Sequence, residues 1–333
     1  MTRLACCSLV LALSACPSSS SKNHSEPPAQ SGAGCPGAAG VYVASYVSQE
    51  PGRGRSGWAL PLHAMKVEPG AEVADYTSID AATASASGVP AAPPGTLWLA
   101  TAGAPPCQVR TGGYYAAKIE GPPASVAYGV ELDGCPAPKN PEEAGGIVLV
   151  SEQAPTGCRF EVPQPIAGRL GEMDAGKQWQ RPTKETPLPA ALAAVLPQHA
   201  CAAPACEKLW AFAEVRVNDQ PVAWTGAINW LQVGAPADQC QWPSERESGF
   251  WIPGDGGVPV KVTEGQQHPL PLLAVLADGG GAKVALAEAP GMYATYDLAP
   301  GRATLGRSVV WMHAPPEAWD AIDQLGPICE QAP

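Results

Sequence analysis

The chain has 333 residues and a formal net charge of −11, with 38 Pro, 36 Gly and only 15% charged residues. An acidic chain without a Lys/Arg cluster has no electrostatic footprint for nucleic acid and no reason to lie flat on anionic headgroups. So much Gly and Pro argues against a helical bundle, while the 45% apolar content argues against a disordered chain.

Arg3 is followed by residues 4–15, which carry no charge. A positive start and a short apolar stretch make a secretory signal, and the stretch is too short to span a bilayer. It ends in Leu13, Ser14, Ala15 and Cys16. An aliphatic residue, two small residues and a cysteine resemble the lipobox of bacterial lipoproteins. The resemblance covers these sixteen residues only. It implies a signal peptide over 1–15 and a lipidated Cys16 bearing palmitate-type acyl chains. With Pro17 rather than Asp in the next position, it also implies an outer-membrane address, facing the periplasm or the cell surface. The membrane is then a partner through the lipid anchor. Residues 17–34 are rich in Ser, Pro, Gly and Ala, have nothing to bury, and read with Cys16 as a tether over 16–34.

Eleven cysteines fit that address. Cys6 and Cys7 leave with the signal and Cys16 takes lipid. Cys35, Cys107, Cys135, Cys158, Cys201, Cys206, Cys240 and Cys329 remain, an even number in an oxidising compartment, which predicts up to four disulfides.

Strand character dominates the rest. Residues 41–48, 58–67 and 96–101 read as extended. Residues 108–119 and 124–132 form a hairpin around a turn at 120–123, with Val109, Tyr115, Ala117 and Ile119 on one face of its first arm. Val126, Tyr128, Val130 and Leu132 share a face of the second. Folding there places Cys107 almost opposite Cys135, one residue out, which a bulge near Asp133 and Gly134 would absorb. The stretch 163–189 loses strand periodicity, and a short Ala/Leu helix follows to Leu196. A second hairpin runs from 208–217 through a turn at 218–221 to 222–233, between Cys206 and Cys240. A four-residue turn would set Ala211, Ala213 and Val215 against Trp224, Ile228 and Trp230. Further strands are expected at 258–262, 270–276, 283–287, 292–298 and 308–313. A helix from Pro316 buries Trp319, Ile322 and Leu325. Cys329 follows it and could return to Cys240 or Cys201.

The expectation is a mainly β protein: two disulfide-stapled antiparallel β-rich domains with a few short helices. The first spans 35–165 and the second 206–333, with a Pro-rich linker and short helix over 166–205. The two Cys-hairpin-Cys units suggest a weak internal repeat.

Motifs that fix a chemistry do not appear. There is no Gly-x-Ser-x-Gly elbow, no His-Glu-x-x-His helix, no P-loop and no calcium loop. The glycines at 254–257 and 278–281 read as hairpin turns. His199, Cys201 and Cys206 have poor zinc spacing in a compartment that oxidises thiols, so no metal and no cofactor are expected. His63, His268 and His313 stand singly, and catalytic residues stay unassigned. Two carboxylates of a glycosidase need a spatial rather than a sequence separation, so the sequence leaves that chemistry open. Of the ten Trp, Trp224 and Trp230 suit a core. Trp242 and Trp251 flank a polar loop at 244–248 and are the candidates for a binding surface. The functional expectation is a non-catalytic binding or accessory component of an envelope protein assembly or surface glycan. The alternative is an envelope hydrolase acting on glycan or peptidoglycan.

Overall fold

A barrel is built first along the chain. Its elements are β1 (Val41–Val47), β2 (Gly57–Lys66), β3 (Tyr76–Ile79), α1 (Ala81–Ala86), β4 (Leu97–Ala100), β5 (Cys107–Ile119), β6 (Ser125–Asp133) and β7 (Gly145–Val150). The computed structural model describes residues 34–47, 56–67, 75–101, 104–119, 125–138, 145–169, 172–173, 179–180, 186–196, 206–232, 245–265, 270–289 and 291–310. All pairings are antiparallel in the order β3-β5-β4-β7-β1-β2-β6, and β5 also pairs with β6. That last pairing closes six strands into a ring and leaves β3 as a flap on β5. Alternating residues fill the ring: Tyr42, Leu60, Leu97, Leu99, Val130, Leu132 and Val148 share one core. Asp80 caps α1 by accepting from the Thr83 N–H at 2.7 Å, and Ala84 and Val89 beside it join that core.

A sandwich follows. Its strands are β8 (Arg159–Glu161), β9 (Gln164–Arg169), β12 (Cys206–Val217), β13 (Gln220–Gln232), β14 (Glu245–Pro253), β15 (Pro259–Lys261), β16 (Leu272–Asp278), β17 (Gly281–Ala289), β18 (Met292–Ala299) and β19 (Arg302–Val310). Between β9 and β12 lie the two-residue strands β10 (Glu172–Met173) and β11 (Trp179–Gln180), and the helix α2 (Ala190–Val195). The outer sheet has the order β15-β14-β13-β12-β9 and the central sheet β19-β18-β17-β16-β8. Phe250, Ile252, Leu272, Val275, Ala294 and Tyr296 pack between them. Thr225 crosses this core: its hydroxyl donates to Gly249 O and accepts from Leu272 N at 3.0 Å.

The layers stack. The far face of the outer sheet, with Phe212, Trp224, Ile228 and Trp251, packs on Leu192 of α2 and on Leu196. The far face of the central sheet, with Leu276, Val284, Leu286 and Tyr293, packs on Val41, Ile147 and Leu149 of the barrel wall. With both faces covered, β16 reads as the nearly continuous apolar run Leu272 to Ala277, not as an alternation. A strap formed by residues 34–40 leads into β1 across the central sheet. Ala38 N donates to Asp297 at 2.7 Å, Thr295 Oγ1 donates to Ala38 O at 2.8 Å, and Arg307 donates to Ala39 O. Cys35 is bonded to Cys158, just before β8.

Among the described residues the chain is thus mainly β and antiparallel with two short α-helices, and two cysteine pairs are bridged. Its boundaries differ from the expected ones. β8, inside the expected first domain, is an edge of the central sheet, and β9, at the start of the expected linker, pairs with β12. α2, in the same stretch, covers the outer sheet. Loss of periodicity there reflects single-edge strands and a covering helix. The barrel and the sandwich share a core. Nor are the two hairpins copies of one unit in their settings: one closes a barrel, the other lies in an open sheet.

Each hairpin carries a register correction. In the first, Thr111 pairs with Leu132 and Tyr114 with Val130, so Gly112 and Gly113 bulge opposite Glu131. The bulge sends Val109 inward and Tyr115 outward, against the expectation that they share a face. It sits in β5, not near Gly134, and Cys107 and Cys135 are bonded with Cα atoms 5.9 Å apart. In the second, Val217 pairs with Gln220 across a two-residue turn, with Asn218 at φ 50° and Asp219 at φ 61°. Asn and Asp tolerate that left-handed backbone, which the tight hairpin turn requires. With a bulge at Val215/Arg216, Ala211 faces Ala227 and Val215 faces Ala223, one step from the expected register. One step moves every side chain to the other face.

Candidate functional site

Barrel closure decides which wall is free. β4, β7 and β1 press against the central sheet, so β3, β5 and β6 form the opposite wall. The Gly112–Gly113 bulge turns Tyr115 onto that outer wall. There it lies directly across from Gly129, where an added Cβ would sit 2.7 Å from the tyrosine oxygen and 2.8 Å from Cζ. A glycine within a strand thus makes the bed for a ring. Tyr76 of β3 stacks on Tyr115 with centroids 5.6 Å apart and planes at 17°. The Tyr76 hydroxyl donates to Glu131 Oε1. Asp133, two residues along β6, lies on the same face and is exposed. The Tyr115 ring is buried at 5% exposure, and the half-buried Tyr76 covers it.

The arrangement sets a half-buried tyrosine ring beside the Glu131 carboxylate on that wall. Such a surface stacks on the apolar face of a sugar ring and accepts hydrogen bonds from its hydroxyls.

The expected site residues fall elsewhere. Trp251 is 2% exposed, with its ring 5.5 Å from that of Phe212 and Lys261 Nζ over the ring, 5.7 Å from its centre. It is a core residue, packed with Phe212 beneath α2. The polar stretch around it is strand β14, whose residues 245–251 pair with β13. The expected loop over 244–248 is therefore largely strand. Trp224 is buried, as expected, and Trp230 pairs with Lys208. Trp242, Cys16, Cys201, Cys240 and Cys329 lie outside the described residues, as do His199, His268, His313 and the helix expected from Pro316. Cys206 opens β12 opposite Gln232. His63 lies on β2 opposite Tyr128, beside a bulge. Among the described residues, no three His, Cys, Asp or Glu side chains gather as a metal site. None of the described helices is long and apolar enough to cross a membrane.

Sequence reading missed Tyr76 and Tyr115 as a pair. The available signals were Gly129 inside a strand pattern and the Gly112–Gly113 doublet, both marks of a bulge or a close approach. No known protein family, curated protein or solved structure matches the chain.

Proposed function

We propose that this protein is a lipid-anchored component of the bacterial cell envelope, held at the outer membrane through Cys16, that binds another envelope component without turning it over. A surface glycan is the first candidate, and an envelope protein partner the second. The observation that carries the reading is the Tyr76–Tyr115–Glu131 wall, on the barrel face turned away from the sandwich. The lipobox-like start and the two bridged cysteine pairs support the address, since disulfides persist outside the cytoplasm.

Two experiments test it. A Cys16→Ser variant should lose its partition into detergent; retention would refute lipidation. The purified chain should co-sediment with isolated cell-wall polysaccharide, and Tyr76→Ala should weaken this about tenfold, the worth of one stacked ring. Equal binding by Tyr76→Ala would remove the wall from the reading. A stoichiometric protein recovered by gentle affinity purification from membranes would favour the accessory role.

Hydrolysis is a second reading with one observation in its favour. Glu131 and Asp133 lie on one face of β6, two residues apart, so two carboxylates stand on one wall as glycosidase chemistry requires. Release of soluble sugar by wild type, abolished in Glu131→Gln, would establish it.

A further inference from the structure

The outer sheet carries an aromatic layer of its own, away from the tyrosine wall. Trp224 of β13 and Trp251 of β14 stand directly across the ladder from each other. The same rung ends in Glu214 of β12 on one side and Lys261 of β15 on the other. Phe212 fills the next rung over Gly226, with its ring 5.5 Å from that of Trp251. Both charges at the ends of the rung are matched: Arg216 lies 2.6 Å from Glu214, and Glu247 pairs with Lys261. The indole donors are not. Among the described residues, Trp58, Trp98 and Trp210 donate their indole N–H groups to Pro136 O, Ser151 O and Thr186 O at 3.1, 2.9 and 3.1 Å. Trp224 and Trp251, at 6% and 2% exposure, donate to no acceptor there. A buried indole N–H ordinarily finds a partner. The cover over this layer is slight. Residues 186–196 run from one edge of the outer sheet, where Thr186 bridges Gly168 of β9, to the other, where α2 sits beside β15. α2 reads Ala-Ala-Leu-Ala-Ala-Val, so it has no polar side chain to bond to the sheet. Its N-cap is Pro189, which makes no side-chain cap, and six residues are too few to hold a helix by themselves. Leu192 and Leu196, with Leu188 before the helix, seat it on the aromatic layer.

We infer that the layer beneath α2 is a second binding site, for an uncharged saccharide, shut in this conformation and opened when the helix lifts off the sheet. Flat indole and phenyl faces stack on the apolar face of a sugar ring, and the two unmatched indole N–H groups donate to its oxygens. With Glu214 and Lys261 each paired, the rung presents no charge to be matched, so the ligand is a neutral sugar. Lifting α2 gives up the apolar contacts of its leucines, and a bound sugar returns stacking and two hydrogen bonds. That difference between the two states is what a ligand needs to select the open one. The apparent affinity falls in proportion to the closed fraction, so whatever loosens the lid tightens binding. The site lies on the sandwich, and the inference stands whether or not the tyrosine wall binds.

Calorimetric titration of the full chain, disulfides intact, with chitotetraose, maltotetraose and cellotetraose tests it. Tyr76→Ala is the background throughout, so that the wall contributes nothing. At least one of these uncharged sugars should bind, and adding Leu192→Ala should tighten it about tenfold by loosening the lid. Adding Trp251→Phe instead, which keeps a ring and removes the N–H, should weaken it about tenfold, the worth of one hydrogen bond. Binding of none of the sugars overturns the site and leaves the wall untouched. Equal or weaker binding with Leu192→Ala, or undiminished binding with Trp251→Phe, overturns it as well. Should a variant not fold, NMR of the indole N–H groups in the wild-type chain decides. Shifts of the Trp224 and Trp251 signals as sugar is added uphold the inference; their constancy overturns it.

Discussion

The hairpins β5–β6 and β12–β13 share one device and put it to opposite ends. In each, an aromatic ring lies across the ladder on a glycine: Tyr115 on Gly129, Phe212 on Gly226. At Gly226 an added Cβ would meet Phe212 Cδ1 at 2.7 Å. The ring fills the gap that glycine leaves and pins the register. In the barrel hairpin the ring carries a second tyrosine outward and a carboxylate beside it. In the sandwich hairpin it turns under α2 and meets Trp251 in a sealed core. What covers the surrounding wall, not the pair itself, separates an outward tyrosine stack from a packing device in a closed core.

Three pairs of variants probe this contrast. The largest effect is expected from the disulfides. Cys35–Cys158 closes 123 residues and Cys107–Cys135 only 28. Loop-closure entropy assigns about 5 kcal/mol to the first and about 3.5 kcal/mol to the second. Denaturant unfolding of the two double-alanine variants should rank them so; the reverse order would mean that the barrel hairpin depends on its bridge more than the whole chain depends on the strap.

Next come the rings. Phe212→Ala should cost about 4 kcal/mol, since it leaves a cavity in a closed core. Tyr115→Ala should cost about 2 kcal/mol, because water can reach the vacated wall, and it should reduce polysaccharide binding as well. Equal costs, read from unfolding midpoints, would show that both walls are equally closed.

The smallest difference lies in two buried threonines. Thr225→Val breaks a link inside the sandwich, and Thr295→Val breaks one between sandwich and strap. Each should cost about 2 kcal/mol by orphaning a backbone partner. Only Thr295→Val should speed proteolysis near Ala38.

Much of the fold was legible in local pattern. The strands of the barrel hairpin, the bond from Cys107 to Cys135 and the strands at the end of the chain follow from alternation, turn residues and cysteine spacing. What failed was counting across turns. Pro221 reads as part of a longer loop, yet the chain turns on Asn218 and Asp219 and takes up the extra residue in a bulge, which reverses the faces of β13. Nonlocal facts were out of reach. Nothing near Glu245 says that β14 will pair with β13, and nothing near Gly37 says that the strap will lie on Asp297, 260 positions along in the fold's other half. Trp251 reads as a surface residue because the polar stretch 244–248 precedes it, yet both faces of this part of β14 are covered, Phe250 and Ile252 in the sandwich core and Trp251 beneath α2. The tyrosine wall was hidden because Tyr76 and Tyr115 meet only once β3 docks on β5.

The strap also fixes where mechanical load travels. A pull applied at Gly34 reaches Cys35 and passes through its sulfur to Cys158, and from there into β8 at the edge of the central sheet. The sandwich takes the tension covalently. Beyond Cys35 the strap is held to the same sheet by Asp297, Thr295 and Arg307, so the load is divided before β1, which begins six residues further on.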